Sequence, residues 1–176
     1  MKLNLGAGGT RIEGFTSVDV DPELRPDIAG DFRTMSFAGV EEIYASHLLE
    51  HFFYNEAEEI LGQWCGWLKP GGILWVAVPD FAQIANLYAA GEHSPHLLGL
   101  LYGASAKPEW AHHSGWTEPY LKATLDAAGF SVLGRFEPFA QNPEQNGADW
   151  SGAWHRTREG QDVRVSLNLQ AVRVTP

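Results

Sequence analysis

The chain has 176 residues, 44% of them hydrophobic, and a formal net charge of −10 at pH 7. This length suffices for one domain with a buried core, and no apolar run approaches the ~18 residues that a membrane span needs. The acidic charge disfavours binding to nucleic-acid phosphates, and a single cysteine, Cys65, fits a reducing compartment, so we expect a cytoplasmic protein.

The chain opens with a strand, a glycine-rich turn and a second strand that ends near an acid. Residues 2–5 form the first apolar run, Gly6, Ala7 and Gly8 begin the turn, and Asp19 lies late in the run 16–20. Glycines let a ligand approach the backbone closely, and a carboxylate accepts hydrogen bonds from ribose hydroxyls. The segment indicates a nucleoside site, although glycine turns without ligands share this pattern.

Further strands and helices alternate along the rest of the chain. The predicted strands are 27–29, 42–46, 73–78, 131–137 and 163–174, and the predicted helices are 56–68, 81–90 and 117–128. This order predicts a single α/β domain over 1–176, with a Rossmann-like, doubly wound mixed sheet and an antiparallel strand at its C-terminal edge. Residues 7–15 have room for one helical turn at most, so we expect a reduced first crossover helix.

Two segments lack a clear periodicity, 93–115 and 138–161. Long irregular segments in compact domains are often functional. We therefore expect both to lie on the substrate side of the domain.

Six short segments in chain order carry a family resemblance. They are LNLGAG at 3–8, SVD at 17–19, GDF at 30–32, SHLLEH at 46–51, LKPGGIL at 68–74 and AAGF at 127–130. With them the chain resembles the class I S-adenosylmethionine (SAM)-dependent methyltransferases, particularly small bacterial proteins of the methyltransferase type 11 kind. The resemblance implies SAM as cofactor and methyl transfer as the reaction. Many relatives cover the site with N-terminal lid helices, which we expect to be absent here, leaving 93–115, 138–161 or a homodimer partner to close it.

The resemblance also implies which residues hold the cofactor. These are Asn4, Gly6, Ala7, Gly8, Asp19, Asp31, Phe32, Ser46 and His47. Asp19 would bind the ribose hydroxyls, and Asp31 would meet the adenine amino group with Phe32 beside the ring. Ser46 and His47 would flank the methionine and sulfonium end. An acidic site suits the positive charge on the sulfonium.

Two positions depart from the family pattern. Asn4 stands where an acid is usual, and Thr10 stands where the third glycine falls. A nicotinamide-dependent oxidoreductase is less well matched, because its Gly-x-Gly-x-x-Gly motif, read from Gly6, needs a third glycine where Arg11 stands and opens a long helix that this chain has no room for. A non-catalytic SAM-binding or regulatory domain remains an alternative.

Candidate catalytic residues follow the predicted strands at the carboxyl edge of the sheet. In methyl transfer the nucleophile must be aligned with the methyl group, and a base helps when the acceptor is a hydroxyl. The candidates are His47, His51 and Asp80. Each also has a structural interpretation: a local hydrogen bond for His47, a helix start for His51 and a helix cap for Asp80.

His112, His113 and Trp116 are candidate substrate contacts on or beside the irregular segment. We expect no metal, because adjacent histidines seldom chelate one ion and no acid or cysteine stands at ligand spacing nearby. The acceptor stays open. No Asn-Pro-Pro-Tyr or Asp-Pro-Pro-Tyr signature of amino-methylating DNA enzymes follows the fourth strand, and a small or sugar-containing acceptor is favoured.

Overall fold

A seven-stranded mixed sheet organises the protein in the computed structural model, which describes residues 1–103, 110–138 and 149–174. In chain order the strands are β1 (Lys2–Leu5), β2 (Thr16–Asp19), β3 (Ile28–Ala29), β4 (Val40–Ser46), β5 (Leu68–Pro79), β6 (Phe130–Arg135), β7 (Trp154–Arg156), β8 (Asp162–Arg164) and β9 (Ser166–Arg173). The main sheet has the order β3-β2-β1-β4-β5-β9-β6, and β7 pairs with β8 in a separate hairpin. The first five strands of this order run parallel, so their carboxyl ends meet at one edge.

Four α-helices accompany the sheet: α1 (Tyr54–Trp67), α2 (Phe81–Ala89), α3 (Pro95–Tyr102) and α4 (Glu118–Ala127). Apolar residues at helical spacing explain α1, since Ile60, Leu61 and Trp64 are buried against the sheet. α3 lies within the segment predicted to be irregular, and Ser94 caps it by accepting a hydrogen bond from the Leu97 amide. None of the helices in the described parts of the chain is both long and apolar enough to cross a bilayer.

The connection from β1 to β2 contains no helix, as the residue spacing predicted. Leu3, Asn4 and Leu5 pair in parallel with Thr16, Ser17 and Val18. Short backbone bonds fold the connecting segment instead, including that from the Thr10 amide to the Ala7 carbonyl at 2.8 Å. This connection leaves the glycine turn at the carboxyl edge of the sheet.

The C-terminal part differs from prediction in two ways. The predicted strand 163–174 is two strands, because the chain bends at the buried Val165. There the Val165 amide bonds the Ala153 carbonyl and the Val165 carbonyl bonds the Asp80 amide. The mixed sheet with a C-terminal antiparallel strand is confirmed, but β9 lies one place inside the edge, antiparallel to both β5 and β6.

Candidate functional site

A cleft of about 1270 Å³ opens at the carboxyl ends of β1, β2 and β4. All nine residues predicted to bind the cofactor line it: Asn4, Gly6, Ala7, Gly8, Asp19, Asp31, Phe32, Ser46 and His47. His51, His112 and His113, from the predicted catalytic and substrate sets, line it as well. The fold thus brings residues from distant parts of the chain together around one cleft.

The glycine turn holds the carboxylate of Asp19 in a fixed orientation. The Gly8 amide donates to Asp19 Oδ2 at 2.7 Å, and the Asp21 amide donates to Asp19 Oδ1 at 2.9 Å. Gly6 has φ +60°, and a Cβ there would lie 2.6 Å from Leu48 Cδ1. The turn therefore requires glycine at this position for both conformation and space.

Asn4 closes the same turn from the inside. Its Nδ2 donates to the Thr10 carbonyl at 3.3 Å, and the residue is almost fully buried. An ionised acid at this position has no proton to donate to that carbonyl. The amide that departs from the family pattern is thus matched to the path of the turn.

Asp31 and Phe32 line the cleft, but both side chains also contact neighbouring residues of the protein. Both oxygens of Asp31 contact the guanidinium of Arg33, with distances of 2.7–3.0 Å, and this contact lowers the pKa of the Asp31 carboxyl. The Phe32 ring packs edge-on against Phe52 and tilted against Trp64. A ligand at this end meets an ion pair and a ring edge.

A polar network fastens a second wall to the end of β4. Tyr44 Oη and Ser46 Oγ donate to the Asp149 carboxylate at 2.7–3.0 Å, and the Ser151 amide donates to Ser46 Oγ at 3.0 Å. Burial raises the pKa of Tyr44 above its ordinary value, and the Asp149 charge raises it further. The network holds Trp150, half exposed in the cleft, with its ring centroid 6.3 Å from that of His47.

His47 lies where β4 ends, in the left-handed conformation with φ +52°. Its Nε2 is 2.9 Å from Ser166 Oγ, and its Nδ1 is 3.3 Å from Glu50 Oε1. Burial lowers the pKa of the imidazole to about 3, and the neighbouring His112 and His51 lower it further. His47 is accordingly a neutral imidazole in the folded protein.

Glu50, a residue that the sequence interpretation passed over, is fully buried beneath the cleft with His51 and His112 on the same side. One oxygen of Glu50 and one ring nitrogen of each histidine lie within 4.8 Å of one another. Burial raises the pKa of Glu50 to about 8 and lowers that of His112 to about 4. The premise that no acid stands near the histidines at ligand spacing is wrong, because sequence spacing did not show that the loop of His112 folds back over residues 49–51.

Three predicted residues have other surroundings than expected. Asp80 caps α2 by accepting a hydrogen bond from the Gln83 amide at 3.1 Å, and it does not line the cleft. Trp116 is fully buried between Tyr54 and Tyr120, so it cannot contact a substrate. Both residues serve the fold. Of the predicted irregular segments, 104–109 and 139–148 lie outside the described residues.

Several solved structures that are similar to this fold are described as methyltransferases. Similar structures include a methyltransferase in complex with the Haloferax volcanii Trm112 methyltransferase activator (TM-score 0.64, 16% identity, covering 99% of this chain and 82% of that one). A SAM-dependent methyltransferase from Methanosarcina mazei matches with TM-score 0.62 and 17% identity, covering 99% of this chain and 92% of that one. The Burkholderia thailandensis 1,6-didemethyltoxoflavin-N1-methyltransferase, which contains S-adenosylhomocysteine, matches with TM-score 0.54 and 13% identity over 99% and 71%.

No protein-family model matches the sequence, and no curated protein matches it significantly. The structural likeness therefore establishes the fold. The chain has the class I SAM-dependent methyltransferase fold, as the resemblance of its segments predicted.

Proposed function

We propose that this protein is a SAM-dependent methyltransferase. The observation that carries the proposal is the Asp19 carboxylate, which the Gly8 and Asp21 amides fix at the end of β2 facing the cleft. Each carboxylate oxygen has a second lone pair, so Asp19 can accept hydrogen bonds from two vicinal ribose hydroxyls as well. The methyltransferase structures of this fold support the choice of SAM over other nucleosides.

The residues present fit SAM along the whole cleft. A Cβ at Gly8 would meet nothing within 4 Å, so the backbone of the turn is open to a ligand there, and Asn4 sets the turn. Carboxylates outnumber cations on the walls, with Asp19, Asp21 and Glu56 among them, and this favours a cationic ligand. When bound, SAM supplies a sulfonium methyl group that a nucleophile can attack.

The chain's own residues would align the acceptor and limit water around it. His47 and Trp150 stand at the end of β4, where the resemblance puts the methionine and sulfonium end of the cofactor. Burial and orientation of the reacting groups are the main means by which such an enzyme accelerates an in-line displacement. Aligning the acceptor and limiting water around it require no covalent bond to the protein.

A small or sugar-containing acceptor fits the remaining space. The cleft exceeds the ~300–1000 Å³ of ordinary small-molecule sites, so it can hold a cofactor with an acceptor beside it. Half-exposed aromatic rings on its rim, Phe53, Trp110 and Trp150, offer surfaces for a sugar or aromatic ring. The acidic walls disfavour a nucleic-acid acceptor. A cytoplasmic location and closure of the cleft by a homodimer partner belong to the same proposal.

Calorimetry with SAM, S-adenosylhomocysteine and NAD tests the cofactor. We expect both sulfur ligands to bind, and Asp19→Ala to weaken them by about 10- to 100-fold, since a hydrogen bond to a charged group contributes about 1.5–3 kcal/mol. Asp126→Ala, on the exposed face of α4, serves as the matched control and should bind normally. Binding of NAD alone would refute the proposal.

Turnover separates the enzyme from a silent binding domain. A panel of hydroxyl, sugar and aromatic acceptors is incubated with SAM, and the release of S-adenosylhomocysteine is measured. We expect release with at least one acceptor class. If SAM binds and no acceptor yields product, the non-catalytic SAM-binding domain becomes the better description.

A further inference from the structure

The buried carboxyl group of Glu50 lacks a hydrogen-bond partner, and the proposed cofactor does not supply one. Its carboxyl side chain is 0% exposed, and neither oxygen has a hydrogen-bond donor among the described residues. Two ring nitrogens lie close to Glu50 Oε1: His47 Nδ1 at 3.3 Å and His112 Nε2 at 3.9 Å. A buried carboxylate of this kind is costly unless a cation or a proton compensates it.

The hydrogen bonds around His47 determine which of its nitrogens carries a proton. The Asn168 amide donates to the Phe136 and Ser151 carbonyls, so its oxygen must accept from Ser166 Oγ at 2.8 Å. The Ser166 hydroxyl hydrogen is therefore used, and its oxygen accepts from His47 Nε2. A neutral His47 then directs the lone pair of Nδ1 toward Glu50, not a hydrogen.

His112 and His51 are held in the same way. His112 Nδ1 lies 3.0 Å from the Leu100 carbonyl, and His51 Nδ1 lies 3.1 Å from the Ala111 carbonyl. A carbonyl can only accept, so both Nδ1 atoms carry the hydrogen and both Nε2 atoms carry a lone pair. Histidines that bind metals commonly have this arrangement, in which a backbone carbonyl fixes the tautomer of the ligand.

Backbone contacts hold the two histidine segments together. The His113 amide donates to the Glu50 carbonyl at 2.8 Å, and the Ser114 amide donates to the same carbonyl at 3.2 Å. The rings of His51 and His112 pack edge-to-face with centroids 4.8 Å apart. The cluster is thus a built feature of the fold and not a chance approach of surface side chains.

We propose that Glu50, His51 and His112 bind a first-row divalent metal ion in the floor of the cleft. Two imidazoles and one carboxylate suit Zn²⁺, Co²⁺, Mn²⁺ or Fe²⁺ better than Mg²⁺ or Ca²⁺, which prefer oxygen ligands. Ligand atoms of a tetrahedral ion with bonds of about 2.1 Å lie roughly 3.4 Å apart. The side chains, now within 4.8 Å, would need to draw together by about an ångström.

A proton is the simpler alternative to a metal ion. A hydrogen on Glu50 would satisfy its contact with His47 Nδ1. It would leave unexplained why carbonyls fix the tautomers of His51 and His112 while one ring nitrogen of each lies within 4.8 Å of a Glu50 oxygen. A cation accounts for the grouping of Glu50, His51 and His112.

The role of the ion in methyl transfer deepens the proposed methyltransferase function and rests on it, whereas the binding of the ion does not. It would lie in the same cleft as the expected methyl group, and it would orient an acceptor that carries a hydroxyl. The oxygen lone pair forms the bond to the methyl carbon, the carbon–sulfur bond breaks with its electrons passing to sulfur, and the hydroxyl proton leaves to solvent. In this assignment His51 is a ligand and not a general base.

Metal uptake tests the site without any acceptor. Protein treated with a chelator and dialysed is titrated with Co²⁺, and the visible absorption of the bound ion and its stoichiometry are recorded, with Zn²⁺ competition as a second readout. We expect uptake of a single equivalent per chain that Zn²⁺ displaces. Absence of stoichiometric uptake would overturn the proposal.

Variants locate the ion. Loss of a residue that only orients a metal ligand weakens metal binding by about 10- to 100-fold. Glu50→Gln and His112→Gln each remove a ligand, so each should weaken Co²⁺ binding by more than this. His93→Gln is the matched control, because this exposed histidine packs against Tyr88 and does not line the cleft, and it should bind Co²⁺ normally. Equal binding by all three variants would overturn the assignment. Because His112 is on a loop, its variant remains informative if the Glu50 variant fails to fold.

SAM calorimetry on the same samples distinguishes this proposal from the previous one. Metal uptake without SAM binding would refute the methyltransferase proposal and leave the metal site standing. SAM binding with no metal uptake would refute the metal site alone.

Discussion

Gly6 and Gly9 lie three positions apart in one turn, yet the structure places different demands on them. Gly6 has φ +60° and a close neighbour in Leu48, whereas a Cβ at Gly9 would meet nothing within 4 Å. We expect Gly6→Ala to lower the free energy of unfolding by about 1–2 kcal/mol, because a non-glycine residue pays about this much in the left-handed conformation. Gly9→Ala should be nearly neutral. Urea denaturation of both variants tests this prediction. Equal urea midpoints for Gly6→Ala and Gly9→Ala would contradict the conformation assigned to Gly6.

Single residues also show how far the sequence could be read. The family resemblance assigned nine positions to the cofactor one by one, and all nine line one cleft. Glu50 could not be recognised, because a Glu-His pair at a helix start looks the same whether or not a distant loop covers it. Trp116 was misassigned for the converse reason, since an aromatic residue beside an irregular segment can be core or surface.

Among the elements, the end of β4 depends on one hydroxyl. Tyr44 Oη donates to Asp149 and lies 2.9 Å from Ser151 Oγ, joining two elements far apart in the chain. We expect Tyr44→Phe to destabilise the protein by about 1–3 kcal/mol, because it removes a donor to the partly buried Asp149 carboxylate. SAM affinity should also fall, since Ser46 shares Asp149.

Tyr102→Phe is the control for this prediction, because its side chain is largely exposed on the last turn of α3. Thermal unfolding and calorimetry measure the two effects. An unchanged melting temperature for Tyr44→Phe would show that the network contributes nothing to holding the wall.

The elements themselves were predictable where periodicity was strong. The helix-free crossover followed from counting residues, and α1, α2 and α4 followed from apolar spacing. The break at Val165 did not, because an unbroken alternating run gives no sign that its two halves join different sheets. Tertiary hydrogen bonds of Val165 with Ala153 and Asp80 determine where the two strands separate.

For the molecule as a whole, carboxylates with lowered pKa values contribute to the response to acid, together with the buried His47 and His112, whose pKa values are also lowered. The Ser17 hydroxyl and amide lower the pKa of Asp27, Arg33 lowers that of Asp31, and Lys122 and Arg135 lower that of Glu118. The unfolded chain then takes up protons before the folded one as the pH falls through about 4.5. These groups contribute stability that is present above that pH and lost below it.

We therefore expect the urea midpoint to fall steadily between about pH 5 and pH 3. Asp27→Asn should make this dependence shallower, because it removes one of the titrating groups. Midpoints measured across the range for both proteins test the expectation. A midpoint of the parent protein that does not change down to pH 3 would contradict it.

The position of β9 between β5 and β6 has a consequence for the order of assembly. Among the strands of the described residues, β6 pairs with β9 alone. Because β9 follows β6 after 30 intervening residues, β6 and the outer edge of β5 both stay unpaired until residues 166–173 have been synthesised. Unpaired strand edges are templates for aggregation. A nascent chain halted before residue 166 would thus expose two such edges at once. Substitutions that weaken residues 166–173 would therefore lower the yield of folded protein before they lowered its activity.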